Sequence, residues 1–296
     1  MDIKFINRST NTIEIERPPG EELLNFLYSN PFGEKLILPV AKQKFISEWY
    51  GKKMDSPGSK KRIEPFVKSL HIDMTEAQKD ITEFTSFNDF FYRKLKAGVR
   101  TIETGIVSPG DGKILVFENV AEVNTFFVKG KKFTLKEFLQ DDALAAQHAN
   151  SALVILRLAP NDYHRYHFPY EGIASEPKKV DGLYYSVSPI ALNKKFTEVF
   201  CENKKEICKL KTADKGEILI IPVGATMVGS LNNTFEPDSL IKKGEEMGYF
   251  AFGGSTVVLL FNSDAFKLDS DLIENTKNKL ETFVKMGEKI GTAIGS

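Results

Sequence analysis

The chain has 296 residues, 42% of them hydrophobic, and 40 basic residues balance 40 acidic ones. That length accommodates one large domain, or a main domain with a smaller helical appendage, and the zero formal charge argues against a nucleic-acid binder. Two cysteines, Cys201 and Cys208, make neither a disulfide framework nor a zinc-ligand set, and they fit a reducing interior.

In chain order, the first 20 residues contain no apolar core of signal-peptide length. No apolar run approaches the ~20 residues that a spanning helix requires, so any membrane attachment is expected to be peripheral. Residues 21–97 read mostly helical, with short apolar stretches at 22–28 and 36–40 interrupted by Pro31 and Pro39. Lys42, Lys44, Lys52, Lys53, Lys60, Lys61 and Arg62 follow closely. Two readings stay open for them: a helical cap with a solvated basic face, or an interfacial surface that sets apolar side chains among lipid headgroups and lysines on anionic lipid.

Beyond residue 97 the texture changes to short apolar runs bounded by glycine and proline, at 113–117, 152–156, 218–221 and 256–261. Runs of this kind favour buried strands. Short helices are expected at 133–139 and 272–283. The fold class is therefore α+β: a mainly β-sheet core, sandwich- or barrel-like, over 98–296, and a mostly helical, membrane-associating region over 1–97. Three glycine turns punctuate the β part, at 108–114, 243–248 and 286–291.

Three places carry candidate chemistry. Asp111 sits in a Gly-Asp-Gly turn, where bonding to nearby amides accounts for it as well as catalysis does. His164 and His167, two of only four histidines, stand in Asn161-Asp162-Tyr163-His164-Arg165-Tyr166-His167. With no further ligand at metal-binding spacing, no metal is expected, and the pair reads as acid/base groups or as satisfied core histidines. Phe252-Gly253-Gly254-Ser255-Thr256 precedes a strand. Glycine on the acyl side of Ser255 permits backbone angles that let a hydroxyl reach its own preceding carbonyl, although a glycine turn entering a strand reads the same. The order Asp, His, Ser also admits a serine hydrolase, but no G-x-S-x-G elbow surrounds Ser255.

Taken together, Ser108-Pro109-Gly110-Asp111-Gly112, Tyr163-His164-Arg165-Tyr166-His167 and Phe252-Gly253-Gly254-Ser255-Thr256 resemble the phosphatidylserine decarboxylase proenzyme family. Phe87-Asn88-Asp89-Phe90-Phe91-Tyr92-Arg93-Lys94-Leu95, Tyr184-Tyr185-Ser186-Val187 and Val223-Gly224-Ala225 match too. The likeness covers essentially the whole chain and lies nearest the bacterial branch with Gly-Gly-Ser-Thr at the processing site.

The resemblance implies that Ser255 attacks the carbonyl of Gly254, with His167 as the base and Asp111 orienting it. The peptide becomes an ester, and elimination and hydrolysis leave chains 1–254 and 255–296, the second capped by a pyruvoyl cofactor made from Ser255. The two products stay associated as a heterodimer, and family members are often dimeric. The substrate amine of phosphatidylserine would form a Schiff base on the pyruvoyl group, with His164 assisting decarboxylation or protonation. It also implies a peripheral place on an anionic membrane surface, the cytoplasmic face of a bacterial cell membrane. Against this stand a relative acting on a free amino acid, a barrel-sandwich carrier and an uncut serine hydrolase. The Gly-Gly-Ser-Thr turn has no lysine for a carrier to modify.

Overall fold

The computed structural model describes residues 3–18, 20–127, 132–225, 230–253 and 255–295. Gly254, the expected cleavage residue, lies outside the described residues.

Strands Ser151–Leu158 and Ser255–Asn262 are apolar over most of their length and pair antiparallel throughout, from Ser255 opposite Leu158 to Asn262 opposite Ser151. On its other side Ser255–Asn262 pairs with Glu217–Gly224, which sets Ser255 opposite Gly224. These strands lie at the centre of an 11-stranded sheet, buried on both faces, and so they read as continuous apolar runs without alternation. Gly112–Phe117 and Glu281–Val284 extend the sheet on one side, and Lys205–Lys211 extends it on the other. The result is α+β with a β-rich core, and all four runs singled out in the sequence are strands.

Two local expectations need correction. The chain opens with a hairpin, Ile3–Asn7 and Thr12–Glu16, whose first strand pairs in parallel with Glu281–Val284. The first residues therefore belong to the sheet and not to the helical region. A buried ionic cluster fixes them there: the Arg157 guanidinium reaches Glu16 at 2.7 and 2.9 Å and Glu281 at 2.6 and 2.9 Å. The helix expected at 272–283 is Ser270–Lys277, and Glu281–Val284 is a strand. Lys279 takes a left-handed φ of 63°, which ends the helix, and sheet pairing to residues 112–114 then captures the next four residues.

Between the hairpin and the sheet, helix Glu21–Ser29 packs Leu27 and Tyr28 onto the main core, while helices Lys44–Asp55, Ile63–Ser69 and Phe87–Phe91 build a separate small core of Met54, Ile63, Phe84, Phe87, Phe90 and Phe91. Phe252 packs into this core from the far end of the sequence. That contact brings the helical region to the site.

Candidate active site

Ser255 occupies the first position of its central strand, fully buried, and its Oγ has no hydrogen-bond partner among the described residues. The Oγ1 of Thr256 is likewise buried and unpartnered. Gly253 has φ 141°, a conformation that a side chain would resist, so the local backbone requires glycine. Just upstream, the Phe252 N–H donates to Asn88 Oδ1 at 3.0 Å, and the Asn88 Nδ2 donates to Asp55 at 2.7 Å. The Phe252 ring meets Phe87 and Phe91 edge-on, with centroids 4.9 Å away in each case, and stacks on Tyr50 at 5.7 Å. Phe252, two residues before the Gly254–Ser255 bond, is thus gripped by the helical region, and Ser255 itself is held by two flanking strands.

His164 lies against this gripped segment. Its ring sits 3.9 Å, centroid to centroid, from Phe91. Its Nδ1 donates to the Asp162 carbonyl at 2.9 Å, which leaves Nε2 bare, and Nε2 has no partner. Burial pushes its pKa down to about 3 against the pull of the Asp162 and, more weakly, the Gly253 backbone, and the positive charges of Arg93 and Lys113 act in the same direction as burial. At neutral pH His164 is a neutral imidazole offering a lone pair.

His167 ends the short strand Arg165–His167, and the three glycine turns of the sequence converge on it. The His167 N–H donates to the Pro109 carbonyl at 2.7 Å, and its Nδ1 donates to the Gly244 carbonyl at 3.0 Å. The turn around Gly287 closes on the first, with the Gly287 N–H on the Ser108 carbonyl at 3.0 Å. Gly244 and Gly287 have φ 80° and 87°, and a Cβ on Gly287 would stand 2.4 Å from the Thr101 carbonyl oxygen. The Nε2 of His167 accepts from the Tyr163 hydroxyl at 3.1 Å. Burial lowers the His167 pKa, against the Gly244 carbonyl and the charges of Glu246 and Asp111. A cavity of about 220 Å³ opens beside it, lined by Lys94, Arg100, Tyr163, Glu246 and Met286 among others.

Asp111 stands in the first turn, but it does not hydrogen-bond His167. Its carboxylate takes Arg100 at 2.6 and 3.1 Å and the Met286 N–H at 2.8 Å. Both nitrogens of His167 are engaged elsewhere, so Asp111 acts on that ring through space, as a negative charge favouring its protonated form. Among the described residues no group of three His, Cys, Asp or Glu stands ready to hold a metal ion. Residues that sequence reasoning did not single out include Asn88, Arg93, Arg100 and Tyr163. For Asn88 and Arg93 the available signal was polar side chains inside an aromatic run; Arg100 carries no comparable mark.

A family model described as phosphatidylserine decarboxylase matches residues 87–292. The chain is similar to curated proteins named phosphatidylserine decarboxylase proenzyme. One from Fusobacterium nucleatum subsp. nucleatum is 52% identical over 292 residues, covering 98% of this chain and 97% of its own length. One from Clostridium perfringens strain SM101 is 45% identical, covering 98% and 99%. One from Desulfitobacterium hafniense strain Y51 is 43% identical, covering 98% of each.

Proposed function

The chain belongs to the phosphatidylserine decarboxylase family, and on that premise we propose that Ser255 cuts the chain after Gly254 and becomes its pyruvoyl group. The activity is a carboxy-lyase reaction of phospholipid synthesis, the loss of CO2 from phosphatidylserine to give phosphatidylethanolamine.

The observation that carries the proposal is the Ser255 hydroxyl, buried and unpartnered behind a glycine at φ 141°. A buried hydroxyl without a partner is costly, and such atoms in native proteins tend to mark chemistry. The expected sequence starts when the base takes the Oγ proton as Oγ attacks the Gly254 carbonyl carbon. That proton passes to the departing amide nitrogen, and an ester forms. Loss of the Cα proton of residue 255 then expels the Gly254 carboxylate. Water converts the remaining dehydroalanine end to the pyruvoyl group and releases ammonia. Chains 1–254 and 255–296 remain paired, because residues 255–262 keep their ladders to both neighbouring strands. Once formed, the group supplies a carbonyl conjugated to an amide, the electron sink that loss of CO2 requires.

His167 is the base in this reading, with Asp111 favouring its imidazolium through space. To serve, its Nε2 must exchange the Tyr163 hydroxyl for Ser255 Oγ. A second reading has its own observation: the bare, unpartnered Nε2 of His164 makes that residue the base, both for cleavage and for freeing the substrate amine. Separate alanine variants at 164 and 167 discriminate, because only loss of the cleavage base leaves the chain whole.

The substrate arrives from a lipid surface. Trp49, Phe45 and Phe32 are 61, 59 and 58% exposed, and Leu23, Leu36 and Val40, on the neighbouring helical segments at 21–41, also stand out to solvent. Lys44, Lys52 and Lys53 accompany them, an arrangement suited to lying in an anionic interface. No helix among the described residues is long and apolar enough to cross a membrane. The helical residues up to 97 would form the membrane-associating part, and 98–296, joined by the hairpin at 3–16, the catalytic domain, on the cytoplasmic face of the cell membrane.

Intact-mass measurement on wild type and Ser255→Ala tests the first claim. Two wild-type chains, the smaller blocked at its amino end, are expected, with a single chain for the variant. A wild-type chain that stays whole and inactive on phosphatidylserine vesicles refutes it. Vesicle flotation tests the second: Trp49→Glu with Phe45→Glu should lower binding to anionic vesicles at least about 10-fold while cleavage proceeds. Unchanged flotation removes the helical surface as the docking face.

A further inference from the structure

Arg93 is a buried cation to which the reaction scheme gives no role. It follows the helix Phe87–Phe91, is 6% exposed, and packs its guanidinium 5.3 Å from the Phe90 ring centroid. Nη2 makes one long bond, 3.4 Å, to the Asn161 carbonyl, and Nε and Nη1 have no partner. The nearby carboxylates are committed elsewhere: Asp111 to Arg100 and the Met286 N–H, Asp162 to Lys113 and the Ala159 N–H. A buried guanidinium with unmet donors is unfavourable unless an acceptor joins it.

The position indicates what that acceptor belongs to. Arg93 stands two residues past Phe91, whose ring touches both His164 and Phe252, and it is close enough to His164 for its charge to act on that ring. The open donors of Arg93 thus neighbour His164, which also lies against the Gly253 backbone, two residues before Ser255 and its unpartnered Oγ.

Phosphatidylserine offers two anions, a carboxylate and a phosphodiester. The carboxylate gives up its charge as CO2 leaves, so a cation fixed on it would stabilise the starting state more than the transition state and slow the reaction. The phosphodiester keeps its charge throughout, and guanidinium is well matched to phosphate oxygens. We propose that Arg93 binds the headgroup phosphodiester of the substrate and thereby selects phosphorylated serine over free serine. This rests on the decarboxylase reading above.

The test uses the matured full-length protein and its Arg93→Lys and Arg93→Met variants, assayed on a short-chain phosphatidylserine and on O-methylserine, which keeps the amine and carboxylate but lacks the phosphate. Glycerophosphoethanolamine, which has the phosphodiester and no carboxylate, serves as a competitor. For Arg93→Met, kcat/KM on the lipid should fall about 10- to 100-fold, mainly through KM, with inhibition by glycerophosphoethanolamine weakened alike. The slow turnover of O-methylserine should hardly move, and Arg93→Lys should recover part of the loss. A merely structural arginine would lower both substrates together, and that result overturns the proposal. So does a loss confined to O-methylserine, which would put Arg93 on the carboxylate. Failure of both variants to mature would assign Arg93 to self-cleavage instead. A wild type that turns over neither substrate would remove the premise itself, an outcome distinct from all of these.

Discussion

Asn88→Ala is expected to slow self-cleavage more than it destabilises the fold. Asn88 is buried, accepts the Phe252 N–H at 3.0 Å and donates to Asp55 at 2.7 Å, so it ties helix Lys44–Asp55 to the residue two places before the cut. Removing the acceptor leaves the Phe252 N–H without a partner in an aromatic enclosure, at a cost of about 1–3 kcal/mol. If that cost falls on holding the Gly254 carbonyl in line for attack, cleavage slows by roughly 5- to 150-fold. Asn88→Asp separates the two contacts. It keeps an acceptor for Phe252 but sets a carboxylate against Asp55, so it should lose stability and retain most of the cleavage rate. Cell-free synthesis followed by timed gels reads the rate, and urea denaturation in the Ser255→Ala background reads stability. Val199→Ala, buried in helix Pro189–Glu202, gives a variant of lowered stability for comparison. Cleavage by Asn88→Ala at the wild-type rate, or equal slowing in Asn88→Asp and Val199→Ala, refutes the clamp.

Two further outcomes follow from buried charges. His164 titrates at about 3 when folded and near the ordinary imidazole value when unfolded, so between about pH 6.5 and 3 only the unfolded chain takes up its proton. Its contribution is complete above that window and is lost as pH falls through it. Urea midpoints of the Ser255→Ala protein should therefore decline from pH 6.5 to 5, and more shallowly in a His164→Phe version; equal slopes refute the assignment. Arg157→Met strands Glu16 and Glu281 beneath the N-terminal hairpin and should cost about 3–5 kcal/mol in the same assay. Adding Glu16→Gln and Glu281→Gln should recover much of it, whereas no recovery would mean that Arg157 acts by packing alone.

What the sequence by itself determined is local. A strand buried on both faces is apolar at nearly every position, so residues 152–156, 218–221 and 256–261 declare themselves. Glycine turns do the same, because positive φ combined with no room for a Cβ favours glycine, as at Gly244 and Gly287. The chain order of Asp111, the two histidines and Ser255 is likewise plain from the residues. Tertiary structure decided the rest. The hairpin at 3–16 is too short and too polar to announce that it will close on residues 281–283, nearly a whole chain length away. Asp111 bonds Arg100 and not His167 because the fold sets a guanidinium and the Met286 amide against its carboxylate. Phe252 finds Asn88 across 164 residues, and Arg93 is left with open donors beside His164. These are contacts between distant segments, and no local period encodes them: which polar group meets which depends on how the sheet and the aromatic core close around them.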